Sequence, residues 1–166
     1  ELILGLPGET KESFTKGICD LLEYGQHKAI QVYTCDLLPN SEMGAPEYVE
    51  KFGIETVRTP FLQAHCKASE KHEVTEYNTT VMKTDSLDTE DWIYCVVFAC
   101  LIQAFHNIGF FRAVAIYLNN EKNIAYRTLY SDILGYAFDN PHTAIGGVVS
   151  LINGFAKGMA TGKNPW

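Results

Sequence analysis

The stretch Glu1–Thr10, ELILGLPGET, decides how the fold is interpreted, because it joins a strand, a turn and the start of a helix. Residues 2–6 are continuously apolar, which is typical of a parallel strand covered on both faces. A Pro-Gly pair ends the strand, and Glu9 and Glu12 then place negative charge where a helix dipole favours it. The stretch predicts a strand that enters a helix through a glycine-bracketed turn.

A second strand follows the first helix. Phe14, Ile18 and Leu22 repeat at helical spacing, and Gly25 stands where a helix C-terminal cap belongs. Residues 29–35, AIQVYTC, are rich in β-branched residues and predict a strand. Strand, helix and strand in this order predict a right-handed βαβ unit with parallel strands.

Two loops leave the carboxyl ends of these strands, residues 5–10 and residues 36–48. Open α/β sheets and barrels both bind ligands at that edge. Further along, residues 48–52 predict a short helix closed by Gly53. Residues 74–82 have a strand-forming composition, and residues 55–72 carry no clear pattern.

The second half of the chain has helical patterns. The predicted helices begin at the N-cap residue Asp88, at residue 110, at residue 122 and at the pair Asn140–Pro141. The first of them is apolar nearly all round and is expected to be central. The prediction is an α/β chain with a βαβ unit in residues 1–84 and a mainly helical region in residues 85–166.

Composition excludes several classes of function. The formal net charge is -7, and the 13 Lys and Arg residues form no basic patch, so neither nucleic acid nor an anionic membrane surface is an expected partner. The apolar run Trp92–Phe105 has about 14 residues, whereas a membrane span needs roughly 20. The five cysteines are odd in number and contain no C-x-x-C pair, which favours buried thiols in a reducing cytoplasm.

The opening turn matches no phosphate-binding pattern. Its second glycine, Gly8, comes too early for a P-loop, and Glu9-Thr10 stands in place of the Lys-Ser pair. The G-x-G-x-x-G fingerprint is also absent. Glu9 at its mouth would also repel an anion. Two interpretations remain equally open: close approach of a flat ligand to a main chain without Cβ atoms, or a plain strand-to-helix turn that needs positive φ.

The sequence also contains residues for a metal site and for an acid–base site. His65 and His72 lie seven residues apart, about two helical turns, with Cys66 beside one of them. They could form a metal site, but solvated histidines in a linker are the favoured interpretation. An acid–base enzyme would have to use Asp36, Glu42, His65 or His106. Asp36 at a strand end is the best of these candidates, and His106 is better interpreted as a structural histidine.

The two segments ELILGLPGETKESF (residues 1–14) and LLEYGQHKAIQVYTCDLLPNSEMG (residues 21–44) resemble the late barrel strands of the radical S-adenosylmethionine (SAM) superfamily. The resemblance is strongest to the branch whose members often carry a cobalamin-binding domain. It covers residues 1–50 closely. The helix sequence DTEDWIYCVVFACL (residues 88–101) is similar to the helical C-terminal region of that branch more loosely.

The resemblance implies a portion of a (β/α) barrel and a wall of a SAM pocket. By analogy the adenine side of SAM would lie along the first strand end, and the second strand end would line the same cavity more distantly. In the family a [4Fe-4S] cluster cleaves SAM to a radical that abstracts hydrogen from substrate. The implied cofactor-binding residues are Ile3, Gly5, Leu6, Pro7, Gly8, Tyr33 and Asp36, with Cys35 and Leu37 beside them.

One departure from the family pattern is decisive. The family holds its cluster with C-x-x-x-C-x-x-C, and this sequence has no such motif; the nearest pair, Cys95 and Cys100, lies in another region. No catalytic residue, no metal ligand and no cofactor bound by this chain alone are therefore expected. The sequence predicts the C-terminal part of a radical SAM oxidoreductase or methyltransferase, cut within the barrel and inactive alone, with a substrate that the sequence does not identify.

A second hypothesis is a free-standing binding or interaction protein. An open strand edge promotes pairing with another chain unless it is covered. Such a protein would form a homodimer through its sheet edge or its helical region.

Overall fold

A computed structural model describes residues 1–60 and 76–164. The βαβ unit consists of β1 (Leu2–Leu4), α1 (Lys11–Glu23) and β2 (Val32–Thr34). The two strands are parallel, and Leu2 is paired with Val32 at the start of the register. The predicted strand–helix–strand order is confirmed.

The start of α1 is defined by a reciprocal cap. Thr10 Oγ1 accepts a hydrogen bond from the Ser13 amide, and Ser13 Oγ accepts one from the Thr10 amide. The two side chains satisfy amide groups that a helix start leaves without intrahelical partners. At the other end Gly25 adopts φ +89°, as expected for a glycine that terminates a helix.

A β-hairpin follows the βαβ unit. After the short helix α2 (Pro46–Lys51), β3 (Glu55–Pro60) pairs antiparallel with β4 (Tyr77–Lys83). The Val81 amide donates to the Cys35 carbonyl and the Leu37 amide donates to the Thr79 carbonyl, so β4 lies beside the chain that leaves β2. The described residues thus form two small sheets and no closed barrel.

The helical region contains α3 (Thr89–Ile102), α4 (Arg112–Lys122), α5 (Tyr126–Asp139) and α6 (Ala144–Ala160). A π-helical turn at Gln103–Asn107 extends α3. The predicted N-cap of α3 is confirmed, because the Asp88 carboxylate accepts from the Asp91 amide. Among the described helices, none alone has both the length and the apolarity of a membrane span; α3 with its π turn and α4 reach them only as a pair bent by 91°.

Two details of the helix prediction are wrong. The helix predicted to begin at residue 122 begins at Tyr126, because Asn123 in the left-handed conformation ends α4. Asn140 does not cap α6; Thr143 does, by accepting from the Gly146 amide.

The apolar side chains of α6 form a stripe that is only partly buried. Val149 and Met159 are buried, whereas Val148 and Phe155 are about half exposed. The stripe is wider than the surface that α3 and α5 cover.

The core is organised around α3. It packs against α1, α5, α6 and β4, and nine of its fourteen residues are buried. Because it has no polar face, its stability depends on cover from every side. Residues of the βαβ unit and of the helical region share one buried cluster; the boundary at residues 84 and 85 stays a prediction.

The parallel strands are covered on one face. Leu4 and Val32 point into the core and are buried, whereas Ile3 is 45% exposed and its cross-strand neighbour Tyr33 is 43% exposed. The prediction that β1 is covered on both faces is therefore wrong for the described part of the chain.

A chain of hydrogen bonds joins the loop before β2 to the helical region. His106 is fully buried in the π turn; its Nε2 lies 2.9 Å from His27 Nδ1, and its Nδ1 lies 2.7 Å from the Tyr130 hydroxyl. Burial first, then the nearby His27 and Arg112, lower the pKa of His106 to about 4. The imidazole is therefore neutral at pH 7, as expected for a structural histidine.

Acid should weaken the fold through His106. The unfolded chain takes up this proton near pH 6.5 and the folded chain only near pH 4, so stability falls as the pH drops through that interval, by about 3 kcal/mol in total. Urea unfolding at several pH values should show a shallower loss in His106→Gln than in the unchanged chain. His142→Gln, at an exposed position, is the control, and equal slopes in all three proteins would contradict the prediction.

Gly5 should be difficult to replace. Its φ is +103°, and an added Cβ would lie 3.3 Å from the Val81 carbonyl oxygen, so Gly5→Ala should destabilise the fold by about 1–3 kcal/mol. Gly17→Ala in α1, where an added Cβ meets no atom within 4 Å, should instead stabilise by about 0.5–1 kcal/mol. Chemical denaturation measures both effects, and equal midpoints for the two variants would refute this account of the turn.

Candidate functional site

The turn at residues 5–10 connects the carboxyl end of β1 to α1. Gly5 and Gly8 both have positive φ, +103° and +87°. The space beside Gly5 is taken by the backbone of β4 at Val81, so the missing side chain there allows two protein segments to approach. Gly8 differs, because an added Cβ would meet no atom within 4 Å. The open main chain of this turn is therefore at Gly8.

An exposed apolar surface lies next to the turn. Ile3 and Tyr33 are paired across the two strands, and Leu6, 40% exposed, follows Gly5 in the turn. Pro7 is half-buried between Leu6 and the open Gly8. Ile3, Leu6 and Tyr33 form what we call the strand-end surface. A flat apolar ring could pack there against side chains that the described residues leave exposed.

Asp36 stands just after β2 and is held by a threonine. Thr80 Oγ1 lies 2.9 Å from Asp36 Oδ1 and donates to it, and the Thr80 and Thr59 hydroxyls lie 3.0 Å apart. Partial burial raises the pKa of Asp36, and the Thr80 hydrogen bond opposes this shift. The carboxylate is thus oriented by β4 and retains an oxygen that can accept from a ligand hydroxyl or amine.

Sequence reasoning missed Thr80 and Thr59 as partners of Asp36. Residues 78–80 read Asn-Thr-Thr within a stretch of strand-forming composition. That composition gives no register, and the pairing of Asp36 with Thr80 is an isolated antiparallel bridge between elements distant in sequence. A threonine at an inward strand position was the only available signal.

A salt bridge attaches the start of α1 to the start of α3. Lys11 Nζ lies 2.5 Å from Asp91 Oδ1, and both side chains are about one third exposed. The hydrogen bond to Asp91 raises the pKa of Lys11 against the opposing effect of burial. Within the turn and the start of α1, Ser13 Oγ donates to Glu9 Oε1 over 2.6 Å. The Ser13 bond attaches the turn to α1, and the Lys11 salt bridge attaches α1 to the helical region.

The other acid–base candidates do not converge on Asp36. Glu42 is exposed in a short 3-10 turn, and His106 is bonded to His27 and Tyr130. His65, which shares its proposed metal site with Cys66 and His72, lies outside the described residues.

The described cysteines are separate from one another. Cys19 and Cys95 are buried, and burial raises the pKa of each to about 12. Burial also raises the pKa of Cys35 and of Cys100. In residues 1–60 and 76–164, no three His, Cys, Asp or Glu side chains come together as a metal site. These thiols behave as small apolar core groups.

The site therefore combines three properties: an apolar surface, an open main-chain turn and an oriented carboxylate. It contains no nucleophile paired with a base among the described residues. Such an arrangement can bind and orient a ligand that has a flat ring and polar hydrogens.

Comparison with known proteins gives the relatives of this chain. It is 34% identical over 147 residues to the cobalamin-dependent radical SAM methyltransferase TokK of Streptomyces tokunonensis, a match that covers 88% of this chain and 21% of TokK. It is 32% identical over 149 residues to the 2-(S-pantetheinyl)-carbapenam-3-carboxylate methyltransferase of Streptantibioticus cattleyicolor, covering 89% of this chain and 21% of that enzyme. No family model matches the chain.

The chain spans about one fifth of the length of these curated relatives. The match extends through both the βαβ unit and the helical region, since it covers nearly nine tenths of the chain. The predicted resemblance is confirmed: the chain is similar to a C-terminal fragment of cobalamin-dependent radical SAM methyltransferases.

Proposed function

We propose that this chain forms one wall of the SAM pocket in an enzyme of the cobalamin-dependent radical SAM methyltransferase type. The observation that carries the proposal is the exposed strand-end surface beside the open turn. The match to such a methyltransferase over 88% of this chain supports it. The activity of the whole enzyme, methyl transfer, is part of the proposal.

The strand-end surface suits the adenine ring. Ile3, Tyr33 and Leu6 each expose between 40% and 45% of their surface, and they lie at the edge where parallel strands bind ligands. Gly8 lets a planar group approach the main chain closely. Asp36 would accept a hydrogen bond from a hydroxyl or amino group of the same ligand.

The residues present do not fit the cluster. C-x-x-x-C-x-x-C is absent from the 166 residues, and the described thiols are dispersed and mostly buried. Protein outside this sequence would have to bind the cluster and would also have to supply the strands that complete a barrel beside β1. The sequence predicted no cofactor bound by this chain alone, but the exposed strand-end surface favours retained binding. We infer instead that the chain alone binds and positions SAM, without radical chemistry.

A second candidate is a self-associating protein, which the exposed face of α6 favours. Val148, Leu151 and Phe155 recur at helical spacing and are 51%, 77% and 48% exposed. Neighbouring apolar side chains of this kind mark a surface for association. Sedimentation of the chain at increasing concentration separates this candidate from the first, which does not require a dimer.

Binding of SAM should depend on the strand-end surface. Ile3→Ser and Tyr33→Ser each remove apolar area from the proposed wall, and each should weaken binding of SAM by about threefold or more. Leu151→Ser, an equally apolar-to-polar change on exposed α6, should leave the affinity unchanged. Isothermal titration at high SAM concentration measures this, and equal affinity in all four proteins, or none in the unchanged chain, would contradict the proposed pocket.

Reconstitution with iron and sulfide should leave the chain without a stoichiometric cluster. The physical reason is that, among the described residues, no three thiols lie close enough together to bind one iron–sulfur cluster. Anaerobic reconstitution followed by iron analysis and by absorbance in the cluster charge-transfer region tests it. A value near four irons per chain, the content of a [4Fe-4S] cluster, would show that the chain holds a cluster by itself.

A further inference from the structure

A cleft lies at the other end of the molecule, between α5, α6 and the π turn. Its volume is about 420 Å³. The side-chain amides of Gln103 and Asn107 in the π turn donate to the Ile30 carbonyl just before β2. The cleft is therefore near the amino ends of the strands. The strand-end surface is at their carboxyl ends. The residues lining the cleft are Phe105, Phe111, Leu129, Asp132, Ile133, Tyr136 and Ile145.

The cleft is almost wholly apolar, with a single carboxylate residue among the described residues that line it. Phe105 and Phe111 stand edge to face, with ring centroids 6.2 Å apart. The carboxylate residue is Asp132, an exposed aspartate on α5. Tyr136, one helical turn further along and 55% exposed, adds an aromatic ring beside it.

Asp132 has no cation as partner among the described residues. The ion pairs there involve Asp91, Asp20 and Glu55. Arg112, the cation closest in sequence to Phe111, donates instead to the carbonyls of the π turn. Arg127 lies five positions before Asp132 on α5, which places it on a different side of the helix.

We propose that this cleft binds a small amphipathic amine, with its apolar body against the wall and its ammonium group at Asp132. Charge complementarity selects a cation, because the rim offers a carboxylate and an aromatic ring, both of which attract positive charge. A cleft of 420 Å³ falls in the size range of small-molecule sites, which is roughly 300–1,000 Å³. A carboxylate ligand would be repelled.

Three probes with one apolar body test the proposal: phenylbutylamine, phenylbutanol and phenylbutyrate. Binding to the unchanged chain is measured by protein-observed NMR titration. The amine should bind about two- to fivefold more tightly than the alcohol, the range expected for an exposed ion pair, and the acid should bind most weakly. Shifts should concentrate on residues of the cleft.

Asp132→Asn should remove the preference for the amine over the alcohol while leaving the alcohol unaffected. Asp139→Asn is the matched control, since it makes the same charge change on an exposed residue of α5 that does not line the cleft. Thermal unfolding confirms that both variants are folded. The proposal is overturned if amine and alcohol bind equally, if none of the probes binds, if Asp132→Asn keeps the preference, or if sedimentation shows that a second copy occupies the cleft.

Discussion

The fold depends on one constraint: α3 is apolar on every side and must be covered on every side. α1 and β4 cover it from the βαβ side, and α5 and α6 cover it from the other. Neither half of the chain could bury this helix alone, which explains why a single buried cluster contains residues of both. The Lys11–Asp91 salt bridge lies where the first turns of α1 and α3 meet. The position of the opening turn is thereby tied to the helical region.

The same packing determines what the opening turn can do. The space where a side chain of Gly5 would lie is filled by the backbone of β4, so the positive φ of Gly5 serves the protein's own structure. Gly8 remains open, and Ile3, Tyr33 and Leu6 remain exposed beside it. The two interpretations of the turn that the sequence left equal thus apply to different glycines. One shapes the fold, and the other is available to a ligand.

Sequence reasoning predicted those features that local chemistry determines. The βαβ order, the Asp88 cap and the central helix follow from short-range patterns, and the structure has them. Pairing between distant segments could not be predicted, because nothing in residues 55–60 shows that they form a hairpin with residues 77–83. Pro141 is a good first helical residue and therefore predicted Asn140 as the cap; in the folded chain the Asn140 carbonyl instead accepts from the Thr143 hydroxyl. The radical SAM relationship was predicted from the resemblance. The chemistry of the residues alone predicts no more than a turn that could face a ligand.

The central claim is that the strand-end surface contacts the adenine of SAM. Photolabelling with an azidoadenosyl analogue of SAM, followed by peptide mapping, tests it most directly. The account predicts crosslinks in residues 3–8 and 33–36 that excess SAM suppresses. Crosslinks that excess SAM suppresses only in the helical region, or an absence of suppressible crosslinks, would contradict it.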